Sequence, residues 1–329
     1  MTRRINQSFG KNEALDPETL GLEVFQAASA RDNRNLKLGE SRRSRMKIIL
    51  NILPAALIFL GTAFGQELNG TLNKIKASNT FTLGYLETAP PFSFPGPDKR
   101  PVGYSIELCT HIASAVQKQL GINLKLNWVP VTPDNRIDMV VHGKVDIECG
   151  TTTASLSRQE RVDFSLMTFV DGGGLMTMAE SNLRGVSDLA GKRVAIIPGT
   201  TTEKALNNFL KEEFVTVEMV RVKDHVEGRT ALEKGSVDAF ASDRGILIGL
   251  AFTSKEPARF GLANVLFSYE PYGFMMRRND GAFRLLVNRA LAELYRSGGI
   301  GPIYERWFGT FGKPSPAVQA MYFLNGLPE

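Results

Sequence analysis

The sequence of 329 residues is poor in the side chains that most often build metal and redox centres, with two cysteines and three histidines. The histidines (His111, His142 and His225) are far apart along the chain, and the cysteine spacing is not that of a zinc site. The sequence also lacks a nucleophile elbow and a phosphate-binding P-loop. We therefore expect neither a metal nor a cofactor.

A basic surface is missing from most of the chain. The formal net charge is +5, but residues 1–65 hold ten of the 39 Lys and Arg and six of the 34 Asp and Glu. The remaining 29 basic and 28 acidic residues carry no electrostatic footprint for nucleic acid, which excludes that partner. At 43% hydrophobic, the chain is an ordinary globular sequence, long enough for two domains.

The longest apolar run, residues 48–64, follows Met46 and a basic flank and ends among small residues. This pattern is typical of a secretory signal peptide, here residues 46–65, and predicts a periplasmic protein. The run is shorter than the roughly 20 residues of a membrane-spanning helix, and an uncleaved membrane tether is the alternative. Residues 1–45 are polar and without apolar periodicity, and we interpret them as an unstructured extension upstream of the true start.

Export to an oxidising compartment permits a disulfide. Cys109 lies on a predicted helix and Cys149 at the end of a neighbouring predicted strand. A disulfide between them and a pair of buried free thiols are both compatible with the sequence.

A row of threonines follows the strand predicted at residues 145–149, whose apolar members are Val145, Ile147 and Cys149. Gly150 precedes Thr151, Thr152 and Thr153, and a basic segment with Arg158 comes next. Threonine hydroxyls donate and accept hydrogen bonds, and the guanidinium fork of arginine fits a carboxylate. At a strand end, where open α/β sheets bind ligands, these residues predict a socket for a small carboxylate. A Thr-rich turn before a solvated basic helix would explain them equally well.

Strand and helix patterns alternate along the chain and favour an α/β fold with mostly parallel sheets. Strands are predicted at 81–86, 124–130, 145–149, 193–197, 217–222 and 274–277, and helices at 103–120, 135–142, 200–210, 227–234 and 281–297. Two helix-to-strand junctions share one pattern, beginning His142-Gly-Lys-Val-Asp and Lys234-Gly-Ser-Val-Asp. Two lobes of one design would explain this repeat, and so would chance.

Two turn-rich stretches, residues 169–174 and 268–273, bracket the second unit. We expect a discontinuous first lobe (residues 66–170 and 272–329) with a second lobe (171–271) inserted, and a Pro-rich tail after Phe311. Two chain crossings with glycine in both predict a hinge, and the cleft between the lobes could close on a ligand.

Several motifs, in order, resemble the extracytoplasmic solute-binding proteins of polar amino-acid ABC importers (bacterial solute-binding proteins, family 3), most of all the glutamate/aspartate-binding proteins. They are Gly103-Tyr-Ser, Val131-Thr-Pro-Asp-Asn-Arg136, Asp146-Ile-Glu-Cys-Gly-Thr-Thr, Arg158-Gln with Phe164-Ser165, Pro198-Gly-Thr-Thr-Thr-Glu203, Lys223-Asp-His225 and Ser242-Asp243. The resemblance covers about residues 72–311. It implies a two-lobed periplasmic-binding-protein fold (type II), and a monomer that captures a free polar amino acid and delivers it to the permease subunits of an importer.

The resemblance also implies roles for individual residues. Arg158 would hold the ligand α-carboxylate with the help of Thr151 and Thr153, and Thr201, at a helix start with capping-box spacing, would touch it from the other lobe. Asp243 would take the α-ammonium, with a solvated turn carboxylate as the structural alternative.

Arg136 and His225 would meet the ligand side chain, since both positions face a distal carboxylate in glutamate/aspartate binders. Leu86 stands where those relatives carry a further arginine, and Pro133 where they carry a serine. Glutamate or aspartate is our first choice, and a neutral amino acid such as glutamine or asparagine is the rival, because a buried carboxylate with too few partners is costly. His225 could also be an ordinary core histidine.

An enzyme of the same fold, such as an amino-acid dehydratase, is the alternative from another functional class. Catalysis would need a placed acid or base beyond the binding set. Glu87, Glu148 and His225 are candidates, but no spacing among them compels that role. We therefore expect a binding protein rather than an enzyme.

Overall fold

The computed structural model describes residues 70–181 and 183–328. The predicted N-terminal extension (1–45) and signal peptide (46–65) lie outside the described residues. Within the described ranges, no helix combines the length and apolar character needed to cross a bilayer.

The helices of the described chain are α1 (Gly70–Ser78), α2 (Tyr104–Leu120), α3 (Arg136–Val141), α4 (Leu156–Gln159), α5 (Thr201–Glu212), α6 (His225–Glu233), α7 (Arg244–Phe252), α8 (Gly281–Arg296), α9 (Ile300–Phe308) and α10 (Pro316–Asn325). The strands are β1 (Thr80–Leu86), β2 (Phe94–Pro95), β3 (Pro101–Val102), β4 (Lys125–Val131), β5 (Ile147–Glu148), β6 (Val162–Asp171), β7 (Gly173–Met178), β8 (Arg193–Ile196), β9 (Glu218–Arg221), β10 (Ala239–Asp243), β11 (Phe260–Leu262) and β12 (Glu270–Arg277).

Two five-stranded sheets organise the described residues, beside a small two-stranded one. Sheet I has the order β4-β1-β5-β12-β6 and sheet II the order β11-β7-β10-β8-β9. In each sheet four strands run in one direction and one strand, β12 in sheet I and β7 in sheet II, runs against them, so both sheets are mixed. We call each sheet with its helices a lobe, I and II. The α/β architecture of two similar lobes is as the sequence predicted.

The repeated helix-to-strand junctions have the same structure in both lobes. Helices α3 and α6 each run into a glycine with positive φ (64° and 67°), a conformation that costs glycine little. The backbone N–H of Asp146 donates to the carbonyl of Thr82, and its carboxylate accepts from the N–H of Thr82 (2.8 and 3.0 Å). Asp238 makes the same pair of bonds with Arg193, both at 2.8 Å. Each aspartate therefore fastens its strand to the parallel neighbour.

The interpretation of the two crossings as turns is wrong for most of their length. Strand β6 continues to Asp171, and Gly172 alone separates it from β7. Strand β12 begins at Glu270 and pairs antiparallel with β6 along its whole length. Pairing between segments about 100 residues apart satisfies their backbone groups, and local glycine and proline content does not reveal it.

Five of these helices (α1, α4, α7, α9 and α10) are not among the helix ranges predicted from the sequence. Helix α7 follows β10 directly, and α10 occupies the segment that we interpreted as a Pro-rich tail. Pro316 is the first residue of α10, where its missing N–H costs nothing, and the hydroxyl of Ser315 caps the helix by accepting from the N–H of Val318 (3.3 Å). The proline therefore starts a helix there.

An aromatic cluster holds the crossing strands against lobe I. Its members are Phe92, Tyr104, Phe169, Tyr272 and Phe308. Neighbouring ring centroids lie between 4.9 and 6.3 Å apart, within the range of favourable ring contacts. Because Phe169 is on β6 and Tyr272 on β12, this cluster fixes both crossings on one side of the cleft.

Gly228 lets α6 approach β10 closely, because a Cβ at this position would lie 2.4 Å from the buried ring of Phe240. We expect Gly228→Ala to lower the free energy of unfolding by about 1–3 kcal/mol through overpacking, despite the better helix propensity of alanine. Gly301→Ala is the matched control, since nothing lies within 4 Å of its Cβ position in α9. Urea denaturation measures both variants, and equal behaviour of the two would contradict this account of Gly228.

Candidate functional site

The threonine row lies in a loop that two links hold to α2. Cys149, at the end of β5, forms a disulfide with Cys109 of α2, and both side chains are buried. Next to it, the hydroxyl of Ser105 donates to the carbonyl of Gly150 (2.9 Å). These links fix the start of the loop, so that Thr151 and the residues after it extend towards lobe II.

Arg158 lies behind this loop. The hydroxyl of Ser155 caps α4 by accepting from the N–H of Arg158 (3.3 Å), and Arg158 Nη1 donates to the carbonyl of Thr153 (3.0 Å). The side chain is almost fully buried. Burial and then the positive charge of Arg136 lower the pKa of Arg158 to about 10, so the guanidinium stays charged at neutral pH. Arg158 supports the loop and does not itself line the cavity described below.

Lobe II contributes the start of α5, where the structure contains the hydrogen bonds that the capping-box pattern predicts. Thr200 Oγ1 accepts from the N–H of Glu203 (3.1 Å), and Glu203 Oε2 accepts from the N–H of Gly199 (2.8 Å). The hydroxyls of Thr201 and Thr202 do not cap the helix and bond to carboxyl groups instead. Thr201 Oγ1 donates to Glu270 (2.6 Å) and Thr202 Oγ1 to Asp243 (2.6 Å).

A small cavity lies where the lobes meet. Its lining residues are Pro133, Arg136, Thr151, Thr153, Ile197, Thr200, Thr201, Thr202, His225, Ala241, Ser242, Asp243 and Ile246. Six of the seven side chains that the sequence singled out for ligand binding are among them. The cavity volume is about 20 Å³, room for about one water molecule, so a larger molecule can enter only if the lobes move apart.

Arg136 places a buried positive charge in the cavity lining. The side chain of Arg136, the first residue of α3, is 6% exposed, and its Nε has no hydrogen-bond partner among the described residues. Nearby, the fully buried carboxyl of Glu148 accepts from Thr152 through Oε2, while Oε1 has no partner in the same part of the chain. Burial raises the pKa of Glu148, and the charge of Arg136 opposes that shift.

His225 begins α6 beside this arginine. Its Nδ1 lies 3.3 Å from the Thr88 hydroxyl of lobe I. Burial and then the charge of Arg136 lower the pKa of His225 to about 3, so the imidazole is neutral at pH 7. In this structure His225 therefore offers a hydrogen bond rather than a charge.

The cavity lining also contains an acidic side chain, Asp243. Burial and then the negative charge of Glu270 raise the pKa of Asp243 to about 6. Tyr272 donates to Asp243 (2.5 Å) and lies 3.3 Å from Asp171, whose pKa burial and the charge of Asp243 raise to about 7. Three carboxyl groups therefore share a buried region beside the cavity, where a cationic group would be stabilised.

Sequence reasoning missed Asp171, Glu270 and Tyr272. All three lie on the crossing strands that we interpreted as turns. The available signal was the pair of acidic residues in otherwise uncharged, glycine-containing stretches. A carboxylate is seldom buried unless it is paired, so two such residues at a predicted hinge indicate a polar network there.

The fold and the cavity define a class of protein: two α/β lobes, joined by two crossings, that enclose a small polar site between them. The family model of bacterial extracellular solute-binding proteins, family 3, matches residues 81–310. The chain belongs to this family, which places it among binding proteins rather than enzymes.

Individual proteins show the same relationship. The chain is 36% identical over 268 residues to an L-glutamate/L-aspartate-binding protein of Pseudomonas aeruginosa, covering 80% of this chain and 89% of that protein. It is 32% identical over 239 residues to the glutamate/aspartate import solute-binding protein of Escherichia coli, covering 72% and 79%. Among solved structures, an ancestral arginine-binding protein bound to arginine is similar, with a TM-score of 0.62 and 29% identity over 70% of this chain and 99% of that one.

The raised pKa of Asp171 predicts how stability changes with pH. An unfolded aspartate has a pKa near 3.9, so its contribution to the free energy of unfolding is full below about pH 4 and is lost as the pH rises through about 7. We expect the difference in unfolding free energy between wild type and Asp171→Asn to fall by about 1–3 kcal/mol from about pH 4.5 to about pH 8. Urea denaturation across this range measures the difference. The exposed Asp98→Asn is the control for loss of a charge, and a difference for Asp171 that stays flat or rises contradicts the raised pKa.

Proposed function

We propose that this protein binds a free polar amino acid between its lobes, with glutamate or aspartate as the first choice, and delivers it to the permease of an ABC importer. The observation that carries the proposal is the cavity, because residues from both lobes line it and its lining includes both the cationic Arg136 and the acidic Asp243. A free amino acid has both charges, and a ligand held by both lobes favours their closure.

Different side chains bind the two charged groups of the amino acid. Asp243 takes the α-ammonium, supported by the hydroxyl of Thr202 and by Tyr272. The α-carboxylate is bound by Arg158, whose bond to Thr153 uses one of five N–H donors, and by backbone N–H groups at the start of α5 near Thr201. Arg158 lies behind the cavity lining in this structure, so its side chain has to reorient to contact the ligand.

Arg136 and His225 hold the ligand side chain. An unpartnered buried guanidinium favours an anionic group, which supports glutamate or aspartate. The rival is a neutral amide ligand, glutamine or asparagine. Glu148 favours this rival, because its negative charge lies close enough to Arg136 to offset part of the positive charge.

The partners follow from the family. Solute-binding proteins of importers act outside the cytoplasm, so we infer a periplasmic location, with export directed by residues 46–65 or a tether formed by them. A monomer suffices, since both halves of the site come from one chain.

Calorimetric titration of the purified chain with a panel of amino acids tests this function. We expect tight binding of glutamate or aspartate and weaker binding of their amides. Absence of binding to every amino acid would overturn the proposal, and formation of a product from any of them would favour the enzymatic alternative.

Two arginine variants separate binding of the α-carboxylate from binding of the ligand side chain. We expect Arg158→Ala to weaken every amino acid by about 10- to 100-fold, because a charged hydrogen bond to the common α-carboxylate is lost. Arg136→Ala should instead change the ratio of glutamate to glutamine affinity by about tenfold or more. Arg161→Ala, an exposed arginine paired with Asp138, is the control. An unchanged ratio in Arg136→Ala contradicts its assignment to the side chain.

The raised pKa of Asp243 predicts the pH dependence of binding. The ligand ammonium favours the ionised carboxylate, so affinity should fall below about pH 6, by up to about tenfold per pH unit, and stay level above it. Titrations between about pH 4.5 and 8 measure this, with Asp243→Asn as the variant that lacks the step. The same fall in both proteins would show that another group is responsible.

A further inference from the structure

Glu270 occupies the point where the two lobes and a crossing strand meet. It is the first residue of β12, directly opposite Asp171 at the end of β6, and it is 1% exposed. It does not line the cavity, but Thr153 and Thr201, which touch it, both do. One of these threonines belongs to lobe I and the other to lobe II.

Three hydroxyl groups surround its carboxyl group. Glu270 Oε2 accepts from Thr153 Oγ1 (2.5 Å) and from Thr201 Oγ1 (2.6 Å), and Oε1 accepts from Ser268 Oγ (2.7 Å). A carboxylate oxygen accepts hydrogen bonds, and three hydroxyl groups lie within donor distance of this carboxyl group. The set of contacts is therefore that of a buried carboxylate satisfied by hydroxyls.

These contacts determine what the two threonines offer to a ligand. A threonine hydroxyl has one proton and two acceptor lone pairs. Thr201 Oγ1 lies within donor distance of both Thr153 Oγ1 (3.2 Å) and Glu270 Oε2 (2.6 Å), and Thr153 Oγ1 lies 2.5 Å from the same carboxyl oxygen. Each hydroxyl has one proton, and the shorter contact to the carboxyl group takes it. What remains for the cavity is lone pairs, and lone pairs attract a cationic donor and repel a carboxylate oxygen.

We propose that Glu270 is a positioning residue that orients the Thr153 and Thr201 hydroxyls as acceptors for the ligand ammonium, beside Asp243. This inference rests on the proposed function. It moves both hydroxyls from the carboxylate end, where the family resemblance put them, to the ammonium end. The ligand carboxylate is left to Arg158 and the backbone N–H groups of α5. The protein thereby selects amino acids over organic acids of the same shape.

The competing explanation is a simple latch, in which Glu270 joins the lobes through the two threonines and has no part in selectivity. A latch affects closure, and closure affects all ligands alike. Orientation of hydroxyls affects only ligands that have an ammonium group. The ratio of affinities for an amino acid and its analogue without the amine therefore distinguishes the two.

The experiment compares L-glutamate with glutarate, which has the same two carboxylates and no amine, by calorimetric titration of the full chain. We expect Glu270→Ala to reduce the preference for glutamate over glutarate by about tenfold or more, since the hydroxyls regain protons that can serve a carboxylate. Glu270→Gln should reduce it less, because the amide oxygen still accepts. Ser268→Ala, which removes the third hydroxyl from Glu270 but leaves the cavity lining intact, should change the preference by no more than about twofold.

Thr201→Val provides an independent test should Glu270→Ala not fold. It should weaken glutamate and leave glutarate unchanged or tighter. Equal weakening of both ligands by Glu270→Ala or by Thr201→Val would overturn the inference in favour of a latch while leaving the binding function standing. Wild-type protein that binds no amino acid would instead overturn the proposed function. If another amino acid binds best, that amino acid and its own analogue without the amine replace the pair.

Discussion

The arrangement around the cavity depends on the cost of burying carboxylates. Asp243 and Glu270 are buried where the lobes meet, Asp171 lies half-buried beside them, and an unpaired ion there would be strongly disfavoured. Each is satisfied by uncharged donors: backbone N–H groups for Asp171, hydroxyls for the other two. These donors favour the ionised forms, but burial outweighs them and raises the pKa of Asp243 to about 6 and that of Asp171 to about 7, so a cation would be stabilised beside them. Arg136, which lines the same cavity, adds a buried positive charge.

The two sheets present these groups through the same local construction. In each lobe an aspartate after a glycine, Asp146 or Asp238, fastens a short strand to its parallel neighbour. The functional residues then follow at the ends of the central strands, the threonine loop after β5 and Asp243 at the end of β10. Strands fixed in this way set the distance between the cavity-lining residues of one lobe.

Much of this could be predicted from local sequence signals. Helix ends marked by Gly103, Gly121 and the Thr200 capping box were correctly located, and residues assigned by resemblance converge on one cavity. The crossing strands were missed, because their pairing joins segments about 100 residues apart and glycine with proline indicates turns to any local reading. Glu270 and Tyr272 lie on one of these strands and were therefore missed as well. The sequence could not show whether Arg158 lines the cavity, because its position depends on the Ser155 cap and on the bond to Thr153.

Orientation of hydroxyl protons explains how a site with so many threonines can distinguish the two ends of an amino acid. A hydroxyl on its own is indifferent, because it can donate to a carboxylate or accept from an ammonium. A buried neighbour that can only accept removes this freedom. Thr202 and Tyr272 give their protons to Asp243, and Thr153 and Thr201 give theirs to Glu270. On the proposed assignment none of these four hydroxyls has a proton left for an anion, and the ligand carboxylate is bound by Arg158 and backbone N–H groups instead.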